Sequence, residues 1–326
     1  MADTSTPAPA KGMGSLAIMF VLWYAFNAYY NVSNKMVVRT WFFPYTCAFL
    51  QTAIGLIYLI PMWTTGMQKV PKLTKDDIIK LLPIALLHAG GHLAAVLSMS
   101  AGAVSFTHII KASEPVASTA IGPFFGVEMQ PMTVNLFLLP IVGGVAFAAM
   151  KPGQGLDMSQ LTNLASAYAM TSNVSFAIRG ILSKKVMTSD YKATKNMDAS
   201  NTYAVLTIMS AILLMFPAMF MEGMLAKGSF DDIKDKATFL KTLLGCGLTY
   251  YLYNEMGFRV LERLDPVSSA VGNTVKRVVI MAAAVMFLGE EMNNNKLVGA
   301  CVAVAGTLAY SLAKNSAAAA KKAKTA

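Results

Sequence analysis

Charge is scarce in this sequence. Only 13% of its 326 residues are Asp, Glu, Lys or Arg, about half the share that a soluble domain uses to face water. With 55% of the residues hydrophobic and a mean hydropathy of +0.51, too little polar surface remains to cover a water-facing globule, so lipid must supply most of the solvent. Cysteine is rarer still. Cys47, Cys246 and Cys301 stand singly in apolar stretches, which excludes a disulfide framework or thiolate metal site and leaves them as packing residues. Acid is short relative to base, 17 against 27, for a formal charge of +10. In a soluble chain that excess would point to nucleic acid, but the apolar runs leave no room for such a domain. The basic residues read instead as membrane-flanking lysines plus a few buried cations. Also missing are an acidic metal cluster, a nucleophile–base pair and a Gly-rich phosphate loop. The residues therefore speak against an enzyme, including one acting on phosphorylated lipid, and no cofactor or metal is expected.

Long apolar runs are what the chain has in plenty. A membrane-spanning helix needs about 20 mostly apolar residues. Ten segments qualify, roughly 14–32, 44–62, 78–98, 104–124, 132–150, 161–182, 203–221, 239–260, 267–288 and 297–312. Turn or charged residues separate them, such as Lys151-Pro152 and Glu290 to Lys296. The predicted architecture is an all-α membrane protein of ten transmembrane helices, residues 13–314, flanked by a tail at 1–12 and a basic tail at 315–326. The first tail is small, polar and Pro-containing, and reads as disordered. No secretory h-region or intact Arg-rich transit peptide precedes the first span, so the start reads as a mature terminus given a new Met or as an ordinary tail. An even number of spans puts both termini on one side. About 14 Lys and Arg flank the helices on that side and about 8 on the other, which makes it the positive-inside face.

An internal repeat emerges when the second half is slid onto the first by 163 residues. Val104-Ser105 then meets Val267-Ser268, while Phe124, Gly126, Glu128 and Met129 meet Phe287, Gly289, Glu291 and Met292. Gly143 and Ala146 meet Gly306 and Ala309. The matched helices lie five apart. An odd shift inverts topology, so halves of about 13–150 and 158–314 would form two inverted five-helix repeats, with a substrate site between them near the midplane.

Three cations fall inside apolar spans: Lys111, Lys276 and Arg277. An ionisable residue there costs roughly 2.5–3.5 kcal/mol on insertion scales and usually faces a cavity. In the repeat register Lys111 lies two residues from the equivalent of Lys276, so the three should converge from related helices. Glu114 is the acid nearest in sequence, which leaves the cluster net positive and ready for an anion. Arg and Lys together suit phosphate, a planar fork beside point charges. The competing reading has these cations snorkelling, or pairing with Glu114 and Glu255. Helix breakers accompany them: Pro115 lacks an amide donor, Gly272-Asn273 should loosen the ninth segment, and Asp265-Pro266 reads as its N-cap and first turn. Broken helices expose polar backbone, which lipid tolerates only around a cavity.

All three histidines lie in the third and fourth segments. His88 and His92 share a face at i, i+4, and His108 shares one with Lys111 at i, i+3. No acid or thiol completes a zinc set, so hydrogen bonding to substrate or to a neighbouring helix fits better, with plain packing for His88. Tyr250, Tyr251 and Tyr253 suit either an interfacial aromatic belt or, beside Asn254 and Glu255, a polar cavity face.

Several motifs together resemble the plastid phosphate translocators of the drug/metabolite transporter superfamily, the triose-phosphate/phosphate translocator family. They are Gly91-His92, Val104-Ser-Phe-Thr-His-Ile-Ile-Lys111 with Glu114-Pro115, Ser183-Lys184-Lys185, Tyr251-Leu-Tyr-Asn254, Leu261-Glu-Arg263, and Ser269-Ala-Val-Gly-Asn-Thr-Val-Lys-Arg277. The resemblance spans roughly residues 13–314. It implies ten helices in two inverted halves in a plastid (chloroplast) envelope membrane, the inner one. It also implies antiport of inorganic phosphate for triose phosphate or related phosphorylated C3–C6 metabolites. The phosphate-clamping residues of that family match Lys111, Lys276 and Arg277, and its supporting histidine and tyrosine match His92 and Tyr253. Subclass features are mixed. Residues 91–100 resemble the hexose-phosphate type, Asn201-Thr-Tyr-Ala204 and Leu261-Glu-Arg263 the triose-phosphate type, and His92 argues against the phosphoenolpyruvate type. Ala95 stands where some members place a hydroxyl. A nucleotide-sugar or other metabolite carrier of the superfamily is the alternative.

Overall fold

The computed structural model describes residues 13–151, 155–156, 158–264 and 266–325. The tail at 1–12 and the expected N-cap Asp265 lie outside the described residues. In chain order the helices are α1 (Met13–Thr40), α2 (Pro44–Thr64), α3 (Lys75–Ala101), α4 (Val104–Lys111), α5 (Glu114–Ile121), α6 (Met132–Asn135), α7 (Leu138–Ala148), α8 (Met158–Thr162), α9 (Leu164–Val186), α10 (Ser189–Lys195), α11 (Ala199–Met221), α12 (Gly223–Phe230), α13 (Lys236–Arg263), α14 (Pro266–Leu288) and α15 (Asn294–Thr325). A 3₁₀ turn, Gly122–Phe125, follows α5. Among the described residues the strands are the two-residue pair β1 (Met150–Lys151) and β2 (Gly155–Leu156).

Among the described residues, five helices are long and apolar enough to cross a membrane: α2, α3, α11, and the stretches Ser268–Leu288 of α14 and Asn294–Lys321 of α15. Helices α1, α9 and α13 have the length, but they carry buried polar residues such as Asn27, Asn31, Ser172, Asn173 and Glu255. Burial runs opposite to that of a soluble protein. Phe124, Phe220, Phe287 and Met286 are exposed, while Gln51, Asn173 and Glu255 are fully buried. An outer surface of that kind needs lipid around it.

Side chains close the ends of the helices. Thr74 and Asp77 form a reciprocal capping box on α3, Asn163 caps α9, Asp198 caps α11 and Asp235 caps α13. Two helix starts borrow their caps from far along the chain. Glu222 accepts from the amides of Tyr45 and Thr46 at 3.2 and 2.7 Å, and Glu290 accepts from those of Val104 and Ser105 at 2.7 and 2.8 Å. Buried Lys35 donates to the carbonyls of Met99 and Gly102 at 2.6 and 2.7 Å, closing the end of α3.

Helix α3 packs along α9, α1 along α13, and α7 along α15. The last crossing is tight because Gly144 and Gly299 face one another: a Cβ on Gly144 would lie 2.7 Å from the Gly299 carbonyl oxygen. Such small residues let helix backbones meet in lipid. Two details differ from the sequence expectation. The segment 104–124 is α4, α5 and the 3₁₀ turn rather than one helix, and 132–150 is mainly α6 and α7. Conversely, α14 runs through Gly272-Asn273 without a break. Gly272 is there for space: a Cβ would come within 2.9 Å of the Phe20 ring, and the Gly272 carbonyl accepts from Tyr24 at 2.9 Å.

Candidate functional site

The site begins where α4 stops. Pro115 has no amide hydrogen to offer the carbonyl of Lys111, so the helix cannot run on. Nearby carbonyls find partners among side chains instead. Ile110 accepts from Ser113 at 2.7 Å and from Asn173 at 3.1 Å, and Ala112 accepts from Thr307 at 2.9 Å. Helices α9 and α15 thus hold the break open inside the bundle.

The break delivers Lys111 and Glu114 to the wall of a cavity of about 610 Å³, within the range of sites that enclose small molecules. Lys111 donates to the Ser172 hydroxyl at 2.7 Å, which itself donates to the Gly91 carbonyl at 2.9 Å. Its ammonium lies 4.9 Å from the centre of the Phe176 ring. From α14, Lys276 donates to Asn273 at 3.2 Å and sits 5.0 Å over the Trp23 ring. Arg277, the next residue, pairs with Glu114 at 3.0 Å. All three predicted cations line this one cavity. Pairing with acids accounts for Arg277 alone, since buried Glu255 is held by Arg259 at 2.6 Å.

His92 and Tyr253 line the same space. His92 is buried and stacks on Tyr250 with ring centres 4.1 Å apart. Its Nε2 has no protein partner among the described residues. Tyr253 stands between Tyr30 and Tyr250, at 5.2 and 5.8 Å. Tyr251, two residues earlier on α13, turns into the core against Tyr203 and Tyr58. The three phenols are therefore interior residues, not a belt. Ala95 also lines the cavity.

Sequence reading passed over Arg179. It projects from α9 into the cavity, its Nη1 at 2.7 Å from Nδ1 of His88 and its guanidinium 4.8 Å from the Phe176 ring. The signal was available, an ionisable residue inside an apolar segment, the rule that picked out Lys111. His88 consequently does more than pack. As an acceptor it fixes the Arg179 guanidinium, which places the ring proton on Nε2. His108 Nε2 lies 2.9 Å from the Asn31 side chain. No group of three metal-ligating side chains occurs among the described residues.

Towards the ends of α9 and α15 the lining continues through Lys184, Ser311, Lys314 and Asn315. Among the described residues the wall holds the cations Lys111, Arg179, Lys184, Lys276, Arg277 and Lys314 against the single carboxylate of Glu114. Charge-assisted bonds to phosphate oxygens are the strongest recognition such a wall offers, and the aromatic faces flanking the cations keep them aimed inward.

A helical membrane protein with a basic cavity inside its bundle is the class that fold and site define. The chain belongs to the Triose-phosphate Transporter family, whose profile matches residues 14–311; it is a transporter rather than an enzyme. It is 34% identical over 299 residues to the chloroplastic triose phosphate/phosphate translocator of Flaveria pringlei, covering 90% of this chain and 70% of that one. To its Spinacia oleracea counterpart it is 34% identical over 310 residues, covering 94% and 73%. The chloroplastic phosphoenolpyruvate/phosphate translocator 1 of Oryza sativa subsp. japonica is also 34% identical, over 92% of this chain and 72% of its own, so overall identity does not separate those two substrate types. A crystal structure only 11% identical superimposes with a TM-score of 0.53 over 92% of this chain and 98% of that one. That likeness concerns the fold alone.

Proposed function

We propose that the chain is an antiporter that exchanges inorganic phosphate for triose phosphate or related phosphorylated C3–C6 metabolites across a plastid envelope membrane, the inner one. The observation that carries this reading is the wall of the cavity, where Lys111, Arg179, Lys276 and Arg277 face one space with one carboxylate among the described residues. The names of the relatives agree with it. In this reading Lys111, Lys276 and Arg277 hold the phosphate group. His92 and Tyr253 add hydrogen bonds, and the rest of the cavity receives the carbon skeleton.

The same proposal includes ten spans in two inverted halves. Three features support it. Gly126 and Gly289, matched by the shift of 163, both adopt positive φ, +72° and +64°, just past a helix end. The most extensive helix pairings map onto one another when the halves are exchanged: α3 on α9 becomes α13 on α1, and α7 on α15 maps to itself. Residues 114 and 277 are 163 apart and bonded to each other, as expected of equivalent positions beside a pseudo-twofold axis.

Alternating access then follows from charge. Without anion, the cations repel and oppose closure of the halves around them. A dianionic phosphate offsets that repulsion, so the carrier crosses loaded, which gives exchange rather than leak. The test is uptake of labelled phosphate into liposomes holding the reconstituted protein. Liposomes preloaded with phosphate, triose phosphate, hexose phosphate or a nucleotide sugar are compared with empty ones. Uptake into empty liposomes equal to that into loaded ones, or competition by nucleotide sugar but not by phosphate, would refute the proposal.

A further inference from the structure

We infer that Glu114 is a tethered counter-anion that substrate must displace from Arg277, and that it makes the cavity refuse singly charged anions. This rests on the phosphate-exchange reading. The pair meets at 3.0 Å with Glu114 the wetter partner, its side chain 37% exposed against 13% for Arg277. The guanidinium is therefore the fixed half and the carboxylate the half that can swing away. No other acid lines the cavity among the described residues, so this carboxylate is the internal competitor that any anion meets.

The competition is uneven by charge. A tethered group acts at a high effective concentration because it pays no cost of association. A monoanion that replaces Glu114 exchanges one negative charge for another and must outcompete that tether, so it gains almost nothing. A phosphate dianion brings a second charge and oxygens enough to reach Lys111 and Lys276 together with Arg277. Displacement then yields a net gain. The position of the bond adds a consequence. Because residues 114 and 277 are 163 apart, the pair lies on the proposed pseudo-twofold axis, and rocking of the halves leaves it equally available from either side. The charge threshold is thus the same in both directions of transport.

The experiment uses the full-length chain in liposomes and measures phosphate homoexchange with two probes, sulfate, a fixed dianion, and methanesulfonate, a fixed monoanion. In the unaltered protein sulfate should compete and methanesulfonate should not. Glu114→Gln should lower the half-saturation concentration for phosphate by about three- to tenfold, between the worth of exposed ion pairs and that of charge-assisted bonds. It should also make methanesulfonate a competitor and slow maximal exchange through tighter retention. Glu114→Asp should restore the refusal. A purely structural role for Glu114 would reduce exchange without lowering half-saturation or admitting methanesulfonate, and that result overturns the inference. So does Glu114→Gln with unchanged exchange and selectivity. A further check needs no variant: thermal protection of the unaltered protein in detergent by methanesulfonate as strong as by sulfate also overturns it. Failure of the unaltered protein to exchange phosphate at all would instead sink the parent reading.

Discussion

Two neighbouring glycines on α7 should respond in opposite ways to the same added methyl group. A Cβ on Gly144 would lie 2.5 Å from the Ala303 amide nitrogen and 2.9 Å from its Cα. These are backbone atoms of α15 and cannot step aside as a side chain would. Ordinary contact begins near 3.4 Å, so Gly144→Ala must push the helices apart by about 0.9 Å, the difference between 3.4 and 2.5. Overpacking of this kind costs about 1–3 kcal/mol, and with rigid backbone opposite it the upper end applies. The better helix propensity of Ala returns about 1 kcal/mol, leaving a net loss of about 2. Gly143 has nothing within 4 Å of its would-be Cβ, so Gly143→Ala should gain up to about 1 kcal/mol from propensity alone. Thermal unfolding in detergent, followed with a thiol-reactive dye, suits the comparison once exposed Cys301 is replaced by Ser, because Cys47 and Cys246 are buried and become reactive only as the bundle opens. A lower midpoint for Gly144→Ala and an equal or higher one for Gly143→Ala is the expected pair. Equal effects from both would refute the close crossing of α7 and α15.

Lys111→Ala, Lys276→Ala and Arg277→Lys should each weaken phosphate homoexchange by about 10- to 150-fold in affinity, the worth of a charge-assisted hydrogen bond; near-normal exchange in all three would remove them from phosphate binding. His92→Ala should weaken uptake while the protein stays monodisperse in detergent, and unchanged uptake would return His92 to packing. With Cys301 replaced by Ser, cysteines placed at Ala2 and Ala326 should react with an impermeant reagent from the same membrane face. Labelling from opposite faces would rule out an even number of spans.

Legibility in the sequence varied with the range of the interaction concerned. Apolar runs depend on neighbours within a helix, and five of the segments read from them, 44–62, 78–98, 203–221, 267–288 and 297–312, fall on the helices that are long and apolar enough to cross a membrane among the described residues. The break after Lys111 was also local, since Pro115 announces itself. Gly272 misled because a glycine reads as loosening when seen along the chain, whereas across space it is a slot for the Phe20 ring. The extra length of α1, out to Thr40, was hidden because Asn34 and Lys35 look like the end of a span. Both are buried, Lys35 on carbonyls that lie 64 and 67 residues away. At the site, Lys111, Lys276 and Arg277 stood out as charges in apolar runs, but their convergence needed the repeat. Arg179 carried the same local signal, a charge inside an apolar run; only its partner His88, 91 residues earlier, was beyond local reading.

The borrowed caps impose an order on how this chain can be made. Helix α4 waits for Glu290, which lies 186 residues beyond the amide it serves, and α2 waits for Glu222, 177 residues beyond. At roughly 5–20 residues per second of synthesis, the start of α4 has no protein acceptor for about 10–40 s after it is made, and in hydrocarbon such unpaired amides are costly. The first half of the molecule is therefore an unfinished object until the second half arrives. A ribosome that stalls before residue 222 leaves behind a fragment with two open helix ends, and one that stalls between 222 and 290 leaves only the start of α4 open.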